Sequence, residues 1–283
     1  MKRDIPRPEG SGTLFLVPTP IGHLGDVTLR ALEVLAAADV LAAEDTRHTR
    51  RLLDRHGIRA RSVSLHRFNE EESAGRLVDA LLEGRDVACV TDAGTPGVAD
   101  PGARLVTRAR AAGIRVVPLP GPSAPVAAVS ASGWEGGFVF EGWVERRKEA
   151  RERQIRAAAG REMATVLFEA PARLKATLEE AERIAPQMEI LVAREMTKVH
   201  EEYEIRTAGE HLRAMTGRVR GEVTLVLLPP PVDRDRGEAP EKAVEAVLAM
   251  VELGVRLADA ARIVGRLTGT PSRQIYRKAV DRR

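Results

Sequence analysis

The chain has 283 residues, of which 43% are hydrophobic, so it is long enough for two domains and too apolar to be a disordered chain. Its 44 lysines and arginines exceed its 41 aspartates and glutamates by only three, and its one cysteine excludes a disulfide framework. No signal peptide is recognisable at the N-terminus, and the longest apolar run, 31–43, is too short to span a bilayer. We therefore predict a soluble, cytoplasmic protein without membrane association.

Residues 1–12 are polar and rich in proline and glycine, which predicts a disordered tail. Short apolar runs then alternate with segments of helical periodicity. The predicted strands are 13–20, 39–45, 61–66, 86–94 and 115–121. The predicted helices are 26–38, with Asp26 or a neighbour as N-cap, 48–56, 70–83 and 101–112. This alternation predicts an N-terminal α/β domain over 13–124, with a mostly parallel sheet covered on both faces.

A change of composition near Pro125, followed by a glycine-rich stretch, marks a predicted domain junction. The predicted strands after it are 138–143, 164–171, 188–195, 200–208 and 221–229, with helices at 146–159, 172–185 and 209–215. They form a second predicted α/β domain over 125–230. We assign 231–283 to a proline-rich linker and a helical extension, whose apolar stripes must be buried against each other, the α/β domains or a dimer partner.

Common nucleotide, metal and nucleophile motifs are absent: the chain has no GxGxxG, GxxxxGK[ST], HExxH, CxxC or GxSxG, and its six histidines are scattered. We therefore predict that no metal is bound. Four loops that follow predicted strands remain: VPTPIGHLGD (17–26), AEDTR (43–47), TDAGTPGVADPG (91–102) and LPGPSAP (119–125). Each alone is typical of a tight turn, but open α/β sheets bind ligands at this edge. Glycine allows close approach to the backbone, so four such loops predict a small polar ligand held by main-chain groups.

These loops, in order with SLHRFNE (64–70), FEAPARL (168–174), REMTKVHEE (194–202) and GEVTLVL (221–227), resemble the tetrapyrrole methylase family, and within it the branch that modifies small-subunit ribosomal RNA. His23 and Arg67 depart from the pattern, standing where asparagine and histidine are expected. The resemblance implies two α/β domains of the class III methyltransferase type, S-adenosylmethionine as cofactor, and a homodimer. It also implies 2′-O-methylation of a cytidine ribose in the decoding region of 16S rRNA, with naked rRNA or the 30S subunit as substrate.

The same resemblance implies a set of cofactor contacts, most of them small residues: Pro18, Ala93, Gly94, Thr95, Ser123, Ala124, Phe168, Met196 and Thr224. Ser123 also suits a helix N-cap. Methyl transfer to a hydroxyl needs a proton acceptor, and the motifs offer several charged residues. We favour Lys198 with Glu195 as the acid–base pair, with Asp45 and Glu169 as the alternatives.

The segment 141–161 carries seven cations and four carboxylates, typical of a solvated helix face or an RNA contact. We interpret it as an RNA contact. The predicted RNA-binding residues, there and in the motifs, are Arg47, His66, Asn69, Arg146, Arg147, Arg151 and Arg173. An aromatic content of 3% argues against a stacking surface of the single-strand-binding type, so we expect electrostatic, shape-driven binding.

Two other functions remain open. One is a methyltransferase of the same family that acts on a tetrapyrrole or a diphthamide precursor. The other is a nucleic-acid-binding regulator, because 255–280 contains two helical patterns joined at TGTPS, as in a helix-turn-helix. A regulator would not need the four loops upstream, which argues against it.

Overall fold

The computed structural model describes residues 8–229 and 240–282. The chain divides into two compact units, one up to residue 230 and one from residue 231. The described residues form ten strands and eleven α-helices. None of these helices is long and apolar enough to cross a membrane.

The first sheet has five parallel strands, in the spatial order β3-β2-β4-β1-β5. In chain order, β1 to β5 are Thr13–Leu16, Val40–Ala43, Ser62–Ser64, Val87–Val90 and Arg115–Pro118. The helices that follow the first four strands, α1 to α4, are Leu29–Ala37, Thr46–Arg55, Glu70–Leu82 and Ala103–Ala111. Because all five strands run the same way, their carboxyl ends share one edge, and the four loops singled out in the sequence leave from it.

Apolar side chains cover both faces of this sheet. One core cluster contains Leu14, Leu81 and Leu105, and the other contains Leu35 and Leu53. Every residue of β4 is buried, as expected for a parallel strand with helices on both sides. The predicted parallel, two-sided α/β architecture is therefore confirmed.

The second sheet is mixed, in the order β6-β7-β10-β8-β9, and only β6 and β7 pair in parallel. In chain order, β6 to β10 are Phe138–Trp143, Ala164–Glu169, Glu189–Arg194, Glu202–Thr207 and Val223–Leu227. Helices α5 to α8 are Ala124–Ser132, Lys148–Ala159, Leu174–Ile184 and Ala208–Ala214. Neighbouring residues such as Ile190 and Leu191 belong to cores on opposite faces, because side chains alternate along a strand.

Helix starts differ from the sequence-based expectation at two points. Residues 24–26 form a short 3-10 turn, and α1 begins after Thr28, whose hydroxyl accepts a hydrogen bond from the Ala31 amide at 3.1 Å. Asp45 caps α2 in the same way, accepting from the Arg47 amide at 2.8 Å. A short polar side chain outside the helix can reach a free amide, whereas one within the turn cannot.

The predicted tail and linker lie partly outside the described residues. Residues 1–7 and 230–239 are outside them, including most of the proline-rich segment. Residues 8–12 do not continue as a tail: Ser11 is buried, and the Gly12 amide donates to the Leu81 carbonyl at 2.8 Å. The three-part division of the chain, with boundaries at 124 and 230, stays a prediction.

The second unit consists of three helices, α9 to α11: Glu241–Glu252, Leu257–Thr268 and Ser272–Asp281. Their apolar stripes pack on each other. Val244 and Val247 of α9, Val264 of α10 and Ile275 of α11 lie in one buried cluster that contains no residue before 243. The four clusters of the first unit end at Leu228.

Because the cores are separate, a chain truncated after residue 230 should fold. We expect it to unfold cooperatively on heating, with the far-ultraviolet circular dichroism of the full chain minus the helical contribution of 241–281. Loss of the cooperative transition would show that the first unit depends on the helical one.

Candidate active site

Loops from both sheets surround one cavity of about 390 Å³, within the usual size range of small-molecule sites. The first sheet contributes the loops after β1, β2, β4 and β5. The second contributes the ends of β6, β7 and β8 and the start of β10. The lining residues are Ile21, Glu44, Asp92, Ala93, Gly94, Thr95, Val98, Asp100, Ser123, Ala124, Pro125, Trp143, Phe168, Glu169, Ala170, Pro171, Met196, Gly221, Glu222, Val223 and Thr224.

The loop over 91–102 is held by backbone contacts at both ends. Gly94 has φ +80° and exchanges two backbone hydrogen bonds with Thr19, at 2.9 and 3.0 Å. Gly102 donates its amide to the Glu70 carboxylate at 2.9 Å. Between them, Ala99 has φ 64°, which an alanine rarely adopts without a compensating gain. The loop is therefore a fixed, partly strained wall of the cavity.

The loop after β8 interlocks with the loop after β1. Thr197 has φ 64°, and its hydroxyl accepts a hydrogen bond from the His23 amide at 2.9 Å. A side chain at Gly22 would come within 2.5 Å of that hydroxyl, so only glycine fits. His23, where the family pattern has asparagine, still serves as a cap, because its Nδ1 accepts from the Gly25 amide at 3.2 Å. The two sheets therefore meet at the cavity through side chain-to-backbone contacts.

Eight of the nine predicted cofactor contacts line this cavity; Pro18 does not. Pro18 lies behind the wall, against Gly121, where a Cβ would come within 2.7 Å of the proline ring. Ser123 occupies the N-cap position of α5, but its hydroxyl makes no capping hydrogen bond. The hydroxyls of Thr95, Ser123 and Thr224, together with small residues such as Gly94, fit a polar ligand held close to the backbone.

Five carboxylates of the described residues line the cavity: besides Glu169 and Glu222 they are Glu44, Asp92 and Asp100, to which the sequence assigned no role. Glu44 accepts from the Thr91 hydroxyl at 2.7 Å, and Asp92 accepts from the Asp45 amide at 3.0 Å. Burial, reinforced by the charges of Glu44 and Asp92, raises the pKa of Asp100 to about 6. Burial also raises the pKa of Asp92. The sequence pattern that could have revealed them is the presence of three acidic residues in the loops after β2 and β4, which are neighbouring strands.

The favoured pair, Lys198 and Glu195, forms a salt bridge that both partners stabilise. The Lys198 ammonium contacts Glu195 and Glu222, each at 2.8 Å. Burial opposes the charge of Lys198, but these two hydrogen bonds outweigh it and raise its pKa. The hydrogen bond from Lys198 lowers the pKa of Glu195. Lys198 is thus held protonated and Glu195 ionised. A residue that exchanges protons near neutrality needs a pKa close to neutrality, whereas both of these pKa values are shifted away from it.

The two alternative catalytic residues have structural partners. Asp45 caps α2 and binds the Arg47 guanidinium at 2.9 Å, and these hydrogen bonds lower its pKa to about 2. Glu169 is 1% exposed, and its carboxylate binds the Arg173 guanidinium and the Ala170 amide, both at 2.6 Å, as well as the Thr177 hydroxyl. Neither carboxylate is left with an oxygen free of strong donors on the described residues.

The predicted RNA-binding residues divide into exposed and structural side chains. Arg146 and Arg147 are exposed at the start of α6. Arg151, by contrast, is buried and binds Glu180 of α7 through two hydrogen bonds of 2.8 and 2.9 Å. Arg173 is committed to Glu169. Arg151 lies on the core-facing side of α6 with Ile155 and Ala158, whereas Arg146 and Arg147 precede the first helical residue, Lys148.

The predicted RNA-binding residues that follow β2 and β3 also differ in their surroundings. Arg47 is exposed and pairs only with Asp45 among the described residues. Asn69, at the N-cap of α3, makes no cap; its amide oxygen accepts from the His66 backbone amide at 2.8 Å. Asn69 thus shapes the loop that carries His66 and the exposed Phe68.

A second cavity of about 270 Å³ adjoins the first and is lined by Arg51 and Lys198 as well as by the carboxylates of Asp92 and Glu222. The two share Ile21, Asp92, Ala93 and Glu222. His48, Arg51 and Lys198 line only the second cavity. Among the described residues, no group of three or more His, Cys, Asp or Glu side chains could hold a metal ion.

Sequence comparisons give the family. The family model described as Tetrapyrrole (Corrin/Porphyrin) Methylases matches residues 13–211. A protein of Neisseria meningitidis serogroup B, named ribosomal RNA small subunit methyltransferase I, is 38% identical over 274 residues, which cover 95% of this chain and 94% of its own. The protein of the same name from Escherichia coli O157:H7 is 37% identical over 288 residues, 99% of each chain.

A structural comparison agrees. The crystal structure of a diphthine synthase superimposes with a TM-score of 0.60 at 19% sequence identity, over 77% of this chain and 90% of the other. At that identity the similarity concerns the fold alone. The family model spans well over half of the chain, and the relatives match almost all of it. The chain therefore belongs to the tetrapyrrole methylase family of S-adenosylmethionine-dependent methyltransferases.

Proposed function

We propose that the chain methylates the 2′-hydroxyl of a cytidine ribose in the decoding region of small-subunit ribosomal RNA, as naked rRNA or within the 30S subunit. The observation that carries this proposal is the pair of adjoining cavities, one lined by small polar residues and carboxylates and one to which the exposed Arg51 contributes a guanidinium. The first suits the methyl donor, and in the second Arg51 offers a contact to a phosphate of the RNA backbone. The names of the two nearly full-length relatives support small-subunit rRNA as the substrate. Such a substrate implies action in the cytoplasm, and the resemblance to the family implies a homodimer.

The residues that would hold the cofactor are the eight predicted contacts that line the first cavity, above all Gly94, Thr95, Ser123 and Thr224. Bound there, S-adenosylmethionine supplies an activated methyl group on a sulfonium centre. The carboxylates of Glu44 and Asp92 make the cavity favourable for a cationic ligand. Fixed loop walls also hold the reacting groups in attack geometry, which contributes up to roughly 7–11 kcal/mol in well-oriented reactions.

Asp100 is the best-suited proton acceptor on the described residues. It lines the first cavity, it is held on a fixed turn after the strained Ala99, and its pKa of about 6 leaves it ionised but basic at neutral pH. Lys198 and Glu195 lock each other in the charged forms. We assign that pair the role of fixing the loop after β8.

The pH dependence tests this assignment. A general base must be ionised, so the methylation rate should rise with pH through about 6 and level off above it. Asp100→Asn should remove this rise and lower turnover by about 10²–10⁴-fold, the usual contribution of a positioned base. Lys198→Ala is the comparison variant and should keep the rise near pH 6. If Lys198→Ala abolishes the rise and Asp100→Asn does not, Lys198 is the proton acceptor.

Gly94 tests the cofactor site. Its φ of +80° excludes a β-branched residue, so Gly94→Val should distort the loop and abolish binding of S-adenosylhomocysteine in calorimetry. Gly57→Val is a matched control, because Gly57 has φ +66°, a Cβ there would meet nothing within 4 Å, and the residue lies outside the cavity. Equal binding by both variants would contradict the site.

Salt dependence tests the RNA contact at α6. Changing Arg146 and Arg147 to Gln should weaken RNA binding and flatten the slope of log affinity against log salt, by about 0.7 for each lost phosphate contact. Arg110 and Arg115 are exposed on the first sheet's side and serve as the control pair. An unchanged slope in the Arg146 and Arg147 variant would mean that this surface is only solvated.

The substrate itself is tested by incorporation of labelled methyl groups into 30S subunits, free rRNA and porphyrinogens, assayed side by side. Label in subunits or rRNA alone is the expected result. Label in porphyrinogens alone would favour a tetrapyrrole substrate. Mapping the label to a base, and not to a ribose, would contradict 2′-O-methylation.

A further inference from the structure

We propose that Trp143 is the surface on which the base of the target nucleotide stacks when its ribose enters the active site. This inference rests on the proposed function and adds the residue that would recognise an unstacked base. It concerns one aromatic ring at the mouth of the first cavity, where the arrangement of the strand, the exposure of the indole and the chemistry of the reaction coincide.

The strand that carries Trp143 is distorted directly before it. Strand β6 pairs in parallel with β7, but the register shifts between Phe140 and Trp143. Gly142 within this shift has φ +74°, and a side chain there would meet nothing within 4 Å, so the conformation and not crowding requires glycine. Bulges of this kind redirect a side chain and are common beside active sites.

Aromatic contacts hold the redirected indole on one side. Trp143 meets the ring of Phe168 nearly edge to face, with centroids 5.6 Å apart and planes at 67°. Phe168 in turn contacts Phe140 at 4.9 Å. Trp143 nevertheless remains 54% exposed, although only two tryptophans and 3% aromatic residues occur in the chain. A supported ring with an open surface is suited to stacking.

The position of Trp143 separates it from the predicted cofactor contacts. Of the residues that line the first cavity, three are exposed: Val98, Trp143 and Glu222. They mark the mouth. Gly94, Met196 and Thr224 are buried and mark its depth. A donor held at depth requires the acceptor to arrive through the mouth, and Trp143 is the one aromatic residue there.

The reaction requires the acceptor nucleotide to leave its stack. A 2′-oxygen cannot reach a buried methyl group while its nucleotide remains within a helix, so the nucleotide must turn outward. RNA-binding proteins compensate for the lost base stacking by stacking the unpaired base on an aromatic side chain. A single ring serves a single base, which agrees with the low aromatic content that argues against a longer stacking surface.

The contact between Trp143 and the target base is tested by changing each of them separately and both together. Small subunits are reconstituted with either the native cytidine or an abasic nucleotide at the methylated position, and kcat/KM is measured for the parent and for Trp143→Ala. Loss of one stacked base should lower kcat/KM of Trp143→Ala by about tenfold on native subunits. On abasic subunits, which keep the 2′-hydroxyl, the two proteins should be equal. Trp143→Phe should restore most of the loss.

Two controls show whether the indole acts on the base or on the cofactor. Trp134→Phe changes the other tryptophan, whose indole donates to the Gly137 carbonyl at 2.9 Å, and should leave kcat/KM unchanged. Affinity for S-adenosylhomocysteine should be the same in the parent and Trp143→Ala. If it falls by the same factor as kcat/KM, the ring holds the cofactor's adenine and the inference is wrong.

Two further outcomes are distinguishable. Suppose that the parent methylates subunits, and that kcat/KM of Trp143→Ala falls equally on native and abasic substrates or does not fall at all. Stacking is then refuted and the proposed function stands. If the parent transfers no methyl group to subunits or rRNA, the proposed function fails, and the inference fails with it.

Discussion

The close approach of two loops from different sheets is the constraint on which the site depends. Gly22 passes so near to Thr197 that a side chain would overlap its hydroxyl, and the His23 amide bonds to that hydroxyl at 2.9 Å. Because this contact joins the walls contributed by both sheets, the cavity has a defined width. Catalysis by positioning needs such rigidity, since small displacements of reacting groups cost large factors in rate.

Electrostatics divides the charged residues of the site into two kinds. The Lys198 ammonium binds the carboxylates of Glu195 and Glu222, each at 2.8 Å, so these charges fix a loop. Asp100 instead lies near other carboxylates in a partly buried corner, which raises its pKa to about 6. Like charges and burial make a carboxylate more basic, whereas a strong cationic partner makes it less so. The sign of the charge nearest to a titratable residue therefore indicates its capacity for proton transfer better than the position of that residue within a sequence motif.

The basic segment shows the same distinction on the surface. Arg146 and Arg147 are exposed and can contact a polyanion, while Arg151, four positions after Arg147, forms a buried ion pair with Glu180. Removing one partner of a buried pair typically costs about 3–5 kcal/mol, because the other charge stays uncompensated. A cation-rich helix can thus contain both a structural arginine and RNA-facing ones.

The order of strands and helices, the edge from which the loops leave, and the family could all be predicted from the sequence. Periodicity and glycine–proline patterns are local, so β1 to β10 and the loop over 91–102 could be located without contacts. The cofactor set, from Gly94 to Thr224, followed from the family resemblance. Which charged groups are paired and which are desolvated, as at Lys198, Asp100 and Arg151, became apparent only from the contacts of the folded chain. The position of Trp143 at the cavity mouth likewise follows from a bulge in β6. These properties depend on neighbours that are distant in the chain, and no local pattern records the burial or the charge that those neighbours bring.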